Sequence, residues 1–210
     1  MPLNHPILHE IEKELDSYPK SKLMIVTKNQ TVEDIQKLFD LGYNFFAENR
    51  VQEIQKKYSS LRKDQNFKVH LIGPLQSNKV KITLDLVEGI QSVDREKLVY
   101  EILKHKTDAS VTKDFYIQVN IGKEIQKSGV EPEKVKDFYK FCLNQNLNIK
   151  GLMCIPPQSQ NPEQHFKEMI NLKKSINEKL LLSMGMSADY KLALKWDSDL
   201  IRVGSSIFTL

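Results

Sequence analysis

Lys22-Leu23-Met24-Ile25-Val26-Thr27-Lys28 holds four apolar residues in unbroken succession between polar flanks. A run this short and this apolar reads as a strand buried on both faces. Similar runs recur at residues 43–47, 69–72, 89–93, 115–121, 149–155, 181–184 and 200–203, making eight in all. Between them the period changes: Val51, Ile54, Tyr58 and Leu61, then Leu98 and Ile102, then Val135, Phe138 and Cys142 fall at helical spacing.

The helix punctuation agrees with that alternation. Thr31, Asp94 and Asn161-Pro162 stand where helices begin, and Gly42 stands just past a helix that includes Leu38. Strand and helix alternate along the chain, the pattern of parallel strands joined by right-handed crossovers. Eight such strands close into a (β/α)8 TIM barrel, so the expected class is α/β with residues 1–210 as one barrel domain. A doubly wound open sheet is the second choice. Two parts fall outside the repeat. A helix with Ile7, Leu8, Ile11 and Leu15 on one stripe precedes the first strand, and the tail of residues 205–210 is too short for a full last helix. The extra helix is expected to cover the surface that the truncated tail leaves open.

Net charge is +4, and 27 of the 31 basic residues are lysines interspersed among 27 acidic residues. No basic block or arginine-rich arm marks a nucleic-acid surface. The first 14 residues lack the apolar core of a signal peptide and no stretch is long enough to span a bilayer, so a cytoplasmic protein is expected. Cys142 and Cys154 fall in a helix and at a strand end, and a structural disulfide is not expected in that compartment. The five histidines form no set at metal-ligand spacing.

Barrel chemistry collects at the carboxyl ends of the strands. In order those ends carry Lys28, Glu48-Asn49, Gly73-Pro74, Ser92 with Asp94-Arg95, Asn120, Cys154 with Pro156, Gly185-Met186-Ser187, and Arg202-Val203-Gly204-Ser205. Lys28 is the candidate nucleophile, since partial shielding at a strand tip favours the neutral amine that attacks carbonyls. Gly185-Met186-Ser187, leading into a helix expected near Ala188, and Gly204-Ser205-Ser206 offer N–H groups and hydroxyls where barrels often hold phosphate. Arg202 lies among Leu200, Ile201 and Val203, so its guanidinium needs a structural partner, Asp197 or Asp199, or else an anion or cofactor in the mouth. Asn49 either faces the mouth or caps the helix that begins near Val51. An amine at strand one, a phosphate cup after strands seven and eight and an arginine beside it are what pyridoxal phosphate requires.

The sequence resembles the pyridoxal phosphate homeostasis proteins, single-domain relatives of the alanine racemase barrel. The matching segments include Val26-Thr27-Lys28, Phe46-Ala47-Glu48-Asn49-Arg50-Val51-Gln52-Glu53, residues 70–79, Ile117-Gln118-Val119-Asn120-Ile121, Lys127-Ser128-Gly129, residues 182–189 and Ile201-Arg202-Val203-Gly204-Ser205. The resemblance implies that Lys28 carries pyridoxal 5'-phosphate as a Schiff base, that Ser187, Gly204 and Ser205 bind its phosphate, that Arg202 faces the pyridine nitrogen and that Asn49 lies near the ring. Ala47 stands where the family usually has glycine and Ser205 where threonine is common, and the serine keeps the hydroxyl.

The implied role is intracellular binding, buffering and delivery of the cofactor, with apo enzymes as acceptors and effects on amino-acid balance, by a monomer that engages neither nucleic acid nor membrane. Robust catalysis is not expected. A guanidinium only donates hydrogen bonds, so it favours a neutral ring nitrogen and a weaker electron sink. With the chain ending at Leu210, the β-rich extension of full racemases is not expected and the mouth should stay open to water. A minimal amino-acid racemase is the alternative; it needs a base near the lysine, and the two candidates, Tyr43 and Tyr190, do not lie at strand tips. A cofactor-free Schiff-base aldolase, whose lysine more often sits at the sixth strand, is the third reading.

Overall fold

The computed structural model describes residues 3–61, 66–107 and 113–208. Strands β1 (Lys22–Val26), β2 (Phe45–Glu48), β3 (Lys68–Leu71), β4 (Gly89–Val93), β5 (Asp114–Val119), β6 (Ile149–Cys154), β7 (Leu181–Ser183) and β8 (Leu200–Val203) close into a barrel in chain order. Every neighbouring pair is parallel, and β8 returns to β1 with Met24 opposite Arg202 and Ile25 opposite Val203. The expected TIM barrel is therefore the observed one, and the open-sheet alternative is excluded by the β1–β8 pairing.

Helices α1 (His5–Asp16), α2 (Val32–Asp40), α3 (Val51–Leu61), α4 (Val80–Leu86), α5 (Glu96–His105), α6 (Pro132–Asn144), α7 (Pro162–Ile176) and α8 (Tyr190–Lys195) surround it. Thr31 opens α2 with a capping box, accepting from the Asp34 N–H at 3.2 Å while Asp34 accepts from the Thr31 N–H at 3.3 Å. Asn161 caps α7, with Pro162 in its first turn. The expected cap at Asp94 is not made. Residue 95 takes the N-cap position of α5 without a side-chain bond, because the Asp94 carboxylate is engaged at 2.6 Å by the Arg95 guanidinium.

Period-two alternation splits the core into two layers. Ile25, Phe46, Val69, Leu71, Ile117, Leu152, Leu182 and Ile201 point outward to the helices. Met24, Val26, Ala47, Tyr116, Met153 and Leu200 fill the lumen. The lumen also takes the His70 ring, and Gly89 makes the room: a Cβ there would lie 2.5 Å from that ring.

Helix α1 packs beside α8 and the turn that follows β8. It buries Leu8 and Ile11, Asn4 N–H donates to the Ile207 carbonyl at 2.8 Å, Glu10 pairs with Lys191 of α8, and Glu12 accepts from the Tyr43 hydroxyl at 2.6 Å beyond α2. Removing residues 1–20 would bare the apolar surface that Leu8 and Ile11 cover. The expected outcome is insoluble protein; a soluble truncated chain with a cooperative thermal transition would show α1 to be dispensable.

Among the described residues no helix is long and apolar enough to cross a membrane, and no group of histidine, cysteine, aspartate and glutamate is arranged to hold a metal. Cys142 and Cys154 are both free and buried.

Candidate functional site at the barrel mouth

A cavity of about 600 Å3 opens at the carboxyl ends of the strands, and Lys28, Asn49, Ser187, Arg202, Gly204 and Ser205 all line it. A second groove of about 480 Å3, between α1 and α8, shares Ser187 but holds neither Lys28 nor Arg202. The sequence-derived candidates thus share one mouth.

Lys28 stands two residues beyond the end of β1 and is exposed. The expected shielding at a strand tip is absent, because the chain leaves the barrel after Val26 and turns, with Gln30 N–H donating to the Thr27 carbonyl at 3.0 Å. Lys28 is an exposed amine on a fixed stem. What fixes the stem lies behind it. Lys57 of α3 is only 4 % exposed, yet its Nζ donates to the Thr27 carbonyl at 3.0 Å and to Glu48 Oε1 at 2.8 Å, with Glu53 at 3.2 Å. Thr27 Oγ1 donates to the same Glu48 oxygen at 2.9 Å, so the Tyr58 hydroxyl, 2.6 Å away, must donate to Thr27. The other Glu48 oxygen accepts from the Asn49 N–H at 3.3 Å. One buried ion pair therefore ties the tips of β1 and β2 together. It also engages Glu48, which the sequence reading placed at the mouth. Asn49 is half-buried, and Gly73 packs on its carbonyl so closely that a Cβ would come within 2.1 Å.

Arg202 is 2 % exposed and takes neither Asp197 nor Asp199 as a partner. Asp199 instead accepts from the Leu182 N–H at 2.7 Å and lies 3.7 Å from Lys173. Arg202 donates through Nη1 to Ser183 Oγ at 2.8 Å and through Nη2 to the Cys154 carbonyl at 2.7 Å. Burial pulls its pKa below the ordinary arginine value. A cation held by neutral acceptors at the wall of a cavity is an electrostatic seat for an acceptor atom of a ligand. Cys154 itself is no nucleophile, since burial pushes its thiol up to about 12.

The last two tips meet as expected, with one adjustment. Ser205 Oγ donates to Ser187 Oγ at 3.1 Å, and the Ser206 N–H reaches the same oxygen at 3.5 Å. Ser187 lies in a turn rather than at a helix start, because Asp189 accepts from the Met186 N–H at 2.6 Å and delays α8 to Tyr190. Gly204 is required by contact: a Cβ would sit 2.6 Å from the Val26 carbonyl. The Ser206 hydroxyl is buried with no protein partner among the described atoms. Clustered hydroxyls at two adjoining turns suit a phosphate oxyanion.

Sequence reasoning missed the second tier. His70, Gln91 and Ser183 sit at inward positions of β3, β4 and β7, and Thr27 and Lys57 lie behind the first tip. Polar residues inside otherwise apolar strands are the signal that marks the first three. Burial, with Lys68 adding to it, lowers the His70 pKa to about 3, so the folded chain holds this ring neutral. An unfolded histidine takes up a proton near 6.5. Stability from the neutral ring is therefore fully present above about pH 6.5 and is lost as pH falls toward 3. Asp114, 4.0 Å away and raised chiefly by burial, contributes with the opposite sign. A His70→Gln variant keeps Asp114, so its stability should fall less steeply between pH 6.5 and 4.5 in urea titrations; parallel curves would contradict the assignment.

Residues 7–210 match the family model for the alanine racemase N-terminal domain. A pyridoxal phosphate homeostasis protein of Aquifex aeolicus is 37% identical over 197 residues, covering 90% of this chain and 86% of that protein. The chain belongs to the pyridoxal phosphate homeostasis protein family. A Helicobacter pylori member is 34% identical over 211 residues, covering 96% of this chain and 95% of its own. The solved structure of PipY from Synechococcus elongatus with pyridoxal phosphate bound superposes with a TM-score of 0.77 at 27% identity, over 94% of this chain and 99% of that one. Alanine racemase from Acinetobacter baumannii, at 15% identity and a TM-score of 0.75, shares the fold over 94% of this chain and 59% of its own length.

Proposed function

We propose that the chain binds pyridoxal 5'-phosphate in the barrel mouth and serves vitamin B6 homeostasis as a non-catalytic carrier that buffers the cofactor and passes it to apo enzymes. One observation carries this reading: an exposed amine, a hydroxyl cluster and a buried guanidinium line a single cavity of about 600 Å3. Pyridoxal phosphate supplies an aldehyde, a phosphate and a pyridine ring. Lys28 Nζ would be the amine for the first, Ser187, Gly204 and Ser205 the donors for the second, and Arg202 would serve the nitrogen of the third with Asn49 near the ring. Family membership and the pyridoxal phosphate bound by PipY support the assignment.

Carriage rather than turnover is supported by where the two tyrosines lie. Neither tyrosine considered as a racemase base lines it: Tyr43 donates to Glu12 on α1, and Tyr190 faces the groove between α1 and α8. The Arg202 guanidinium could only donate to a pyridine nitrogen and so would favour its unprotonated form, which would weaken electron withdrawal. An exposed Lys28 leaves the covalent link open to amines and water, as release to an acceptor requires.

The test is an absorption spectrum of purified protein with added cofactor, before and after borohydride, followed by incubation with L- and D-alanine. A band abolished by borohydride, with no measurable change of chirality, is the expected result. Robust racemisation would overturn the carrier reading, and absence of any protein-bound band would overturn the cofactor assignment.

A further inference from the structure

Four fully buried polar residues form one continuous chain across the apolar lumen, from the mouth to the inner wall: Arg202 on β8, Ser183 on β7, Gln91 on β4 and His70 on β3. Arg202 Nη1 donates to Ser183 Oγ at 2.8 Å, Ser183 Oγ donates to Gln91 Oε1 at 2.7 Å, and Gln91 Nε2 lies 3.2 Å from His70 Nδ1. Its direction is forced. A guanidinium has no acceptor, so Ser183 accepts from Arg202, and Gln91 Oε1 has no hydrogen, so Ser183 spends its single hydrogen on Gln91. The Gln91 oxygen is then the acceptor, its nitrogen the donor, and His70 carries its proton on Nε2. Gly89, which leaves space for the His70 ring, makes the far end of the chain a built feature rather than a chance contact.

Arg202 is the one member that reaches the mouth cavity, and it does so without a carboxylate among its bonded partners. Its orientation therefore depends on two neutral acceptors. The Cys154 carbonyl belongs to the backbone and is fixed. The Ser183 hydroxyl is a rotor, and its bond to Gln91 Oε1 directs the hydrogen away from Nη1 and leaves lone pairs facing the guanidinium. We propose that Gln91, acting through Ser183, is a positioning residue that holds the Arg202 guanidinium in place for the bound cofactor. This inference rests on the reading of the mouth as a pyridoxal phosphate site.

The experiment compares Gln91→Met, Gln91→Glu and Ser183→Ala with the unaltered chain, measuring pyridoxal phosphate retention and the absorption band of the bound chromophore. Methionine is similar in shape and suits an apolar lumen, but it offers Ser183 no comparable acceptor. Glutamate keeps that acceptor and adds charge of the sign Arg202 favours. Gln91→Met and Ser183→Ala should each weaken retention by about tenfold or more and shift the band, the scale of a hydrogen bond to a charged group. Gln91→Glu should stay within about threefold of the unaltered protein and keep its band. A role confined to packing reverses that order, with methionine silent and the buried carboxylate damaging. Unaltered retention and spectrum in both Gln91→Met and Ser183→Ala, or a Gln91→Glu protein worse than Gln91→Met, would overturn the inference. If Gln91→Met does not fold, Ser183→Ala, which removes a single hydroxyl, decides alone. Failure of the unaltered chain to take up any cofactor sinks the function reading itself and the positioning role with it.

Discussion

Replacing Lys28 with alanine is expected to abolish covalent capture of pyridoxal phosphate while leaving the barrel as stable as before. The side chain is exposed and lies beyond the last residue of β1, so truncating it removes no core contact. Surface changes of this kind fall within about 0.5 kcal/mol, or roughly 2 °C in melting temperature for a chain of this size. Among the described residues that line the cavity, Arg202 is not nucleophilic and the one other lysine, Lys127, is engaged by Glu124. Lys28→Arg should fail equally, since it restores the charge without a condensing amine, and that separates covalent from electrostatic binding. Weak, reversible binding through the serines and Arg202 should persist in both variants. Mass measurement after borohydride reduction checks the prediction; a reduced adduct in Lys28→Ala at the unaltered protein's yield would contradict it.

Lys57→Met should cause a large loss of stability for any single change near the site. Lys57 and Glu48 are almost fully buried, and removing the ammonium strands a carboxylate that also serves Thr27 and the Asn49 N–H. Breaking one partner of such a pair costs about 3–5 kcal/mol, which for 210 residues lowers the melting temperature by on the order of 10 °C. Adding Glu48→Gln to Lys57→Met removes the stranded charge and should recover part of the loss. Thermal melts of the single and double variants decide the matter: a Lys57→Met protein within about 1 kcal/mol of the unaltered chain would mean that water or Glu53 already satisfies the site. Because Lys57 also holds the Thr27 carbonyl, the residue before Lys28, the single variant should retain cofactor less well even below its melting point.

The barrel was legible because parallel strands buried on both faces are apolar throughout, and Leu23 to Val26 carries that signature without interruption. Boundaries shifted where a run continued past the pairing: Ile121 and Ile155 lie in loops beyond β5 and β6, and Tyr43 is spent on Glu12 outside the barrel. The mouth was legible for a different reason, since strand tips are fixed once the strands are, and Arg202 stood out as a charge among aliphatic neighbours. Its true partners were not legible. Asp197 and Asp199 are near in sequence, whereas Ser183 and the Cys154 carbonyl become neighbours only when β6, β7 and β8 are laid side by side. Lys57 was hidden in the same way. On α3 it lies next to Tyr58 on the buried face, but a lysine among 27 lysines carries no mark of burial until Glu48 is seen to face it across the β2–α3 turn.

The measurement that bears most directly on the central claim is peptide mapping of the unaltered protein after incubation with pyridoxal phosphate and reduction with borohydride. The reduced cofactor should be found on the peptide containing Val26-Thr27-Lys28, at Lys28 and in near-stoichiometric yield. Modification spread over several surface lysines, or concentrated on any lysine other than Lys28, would contradict the account.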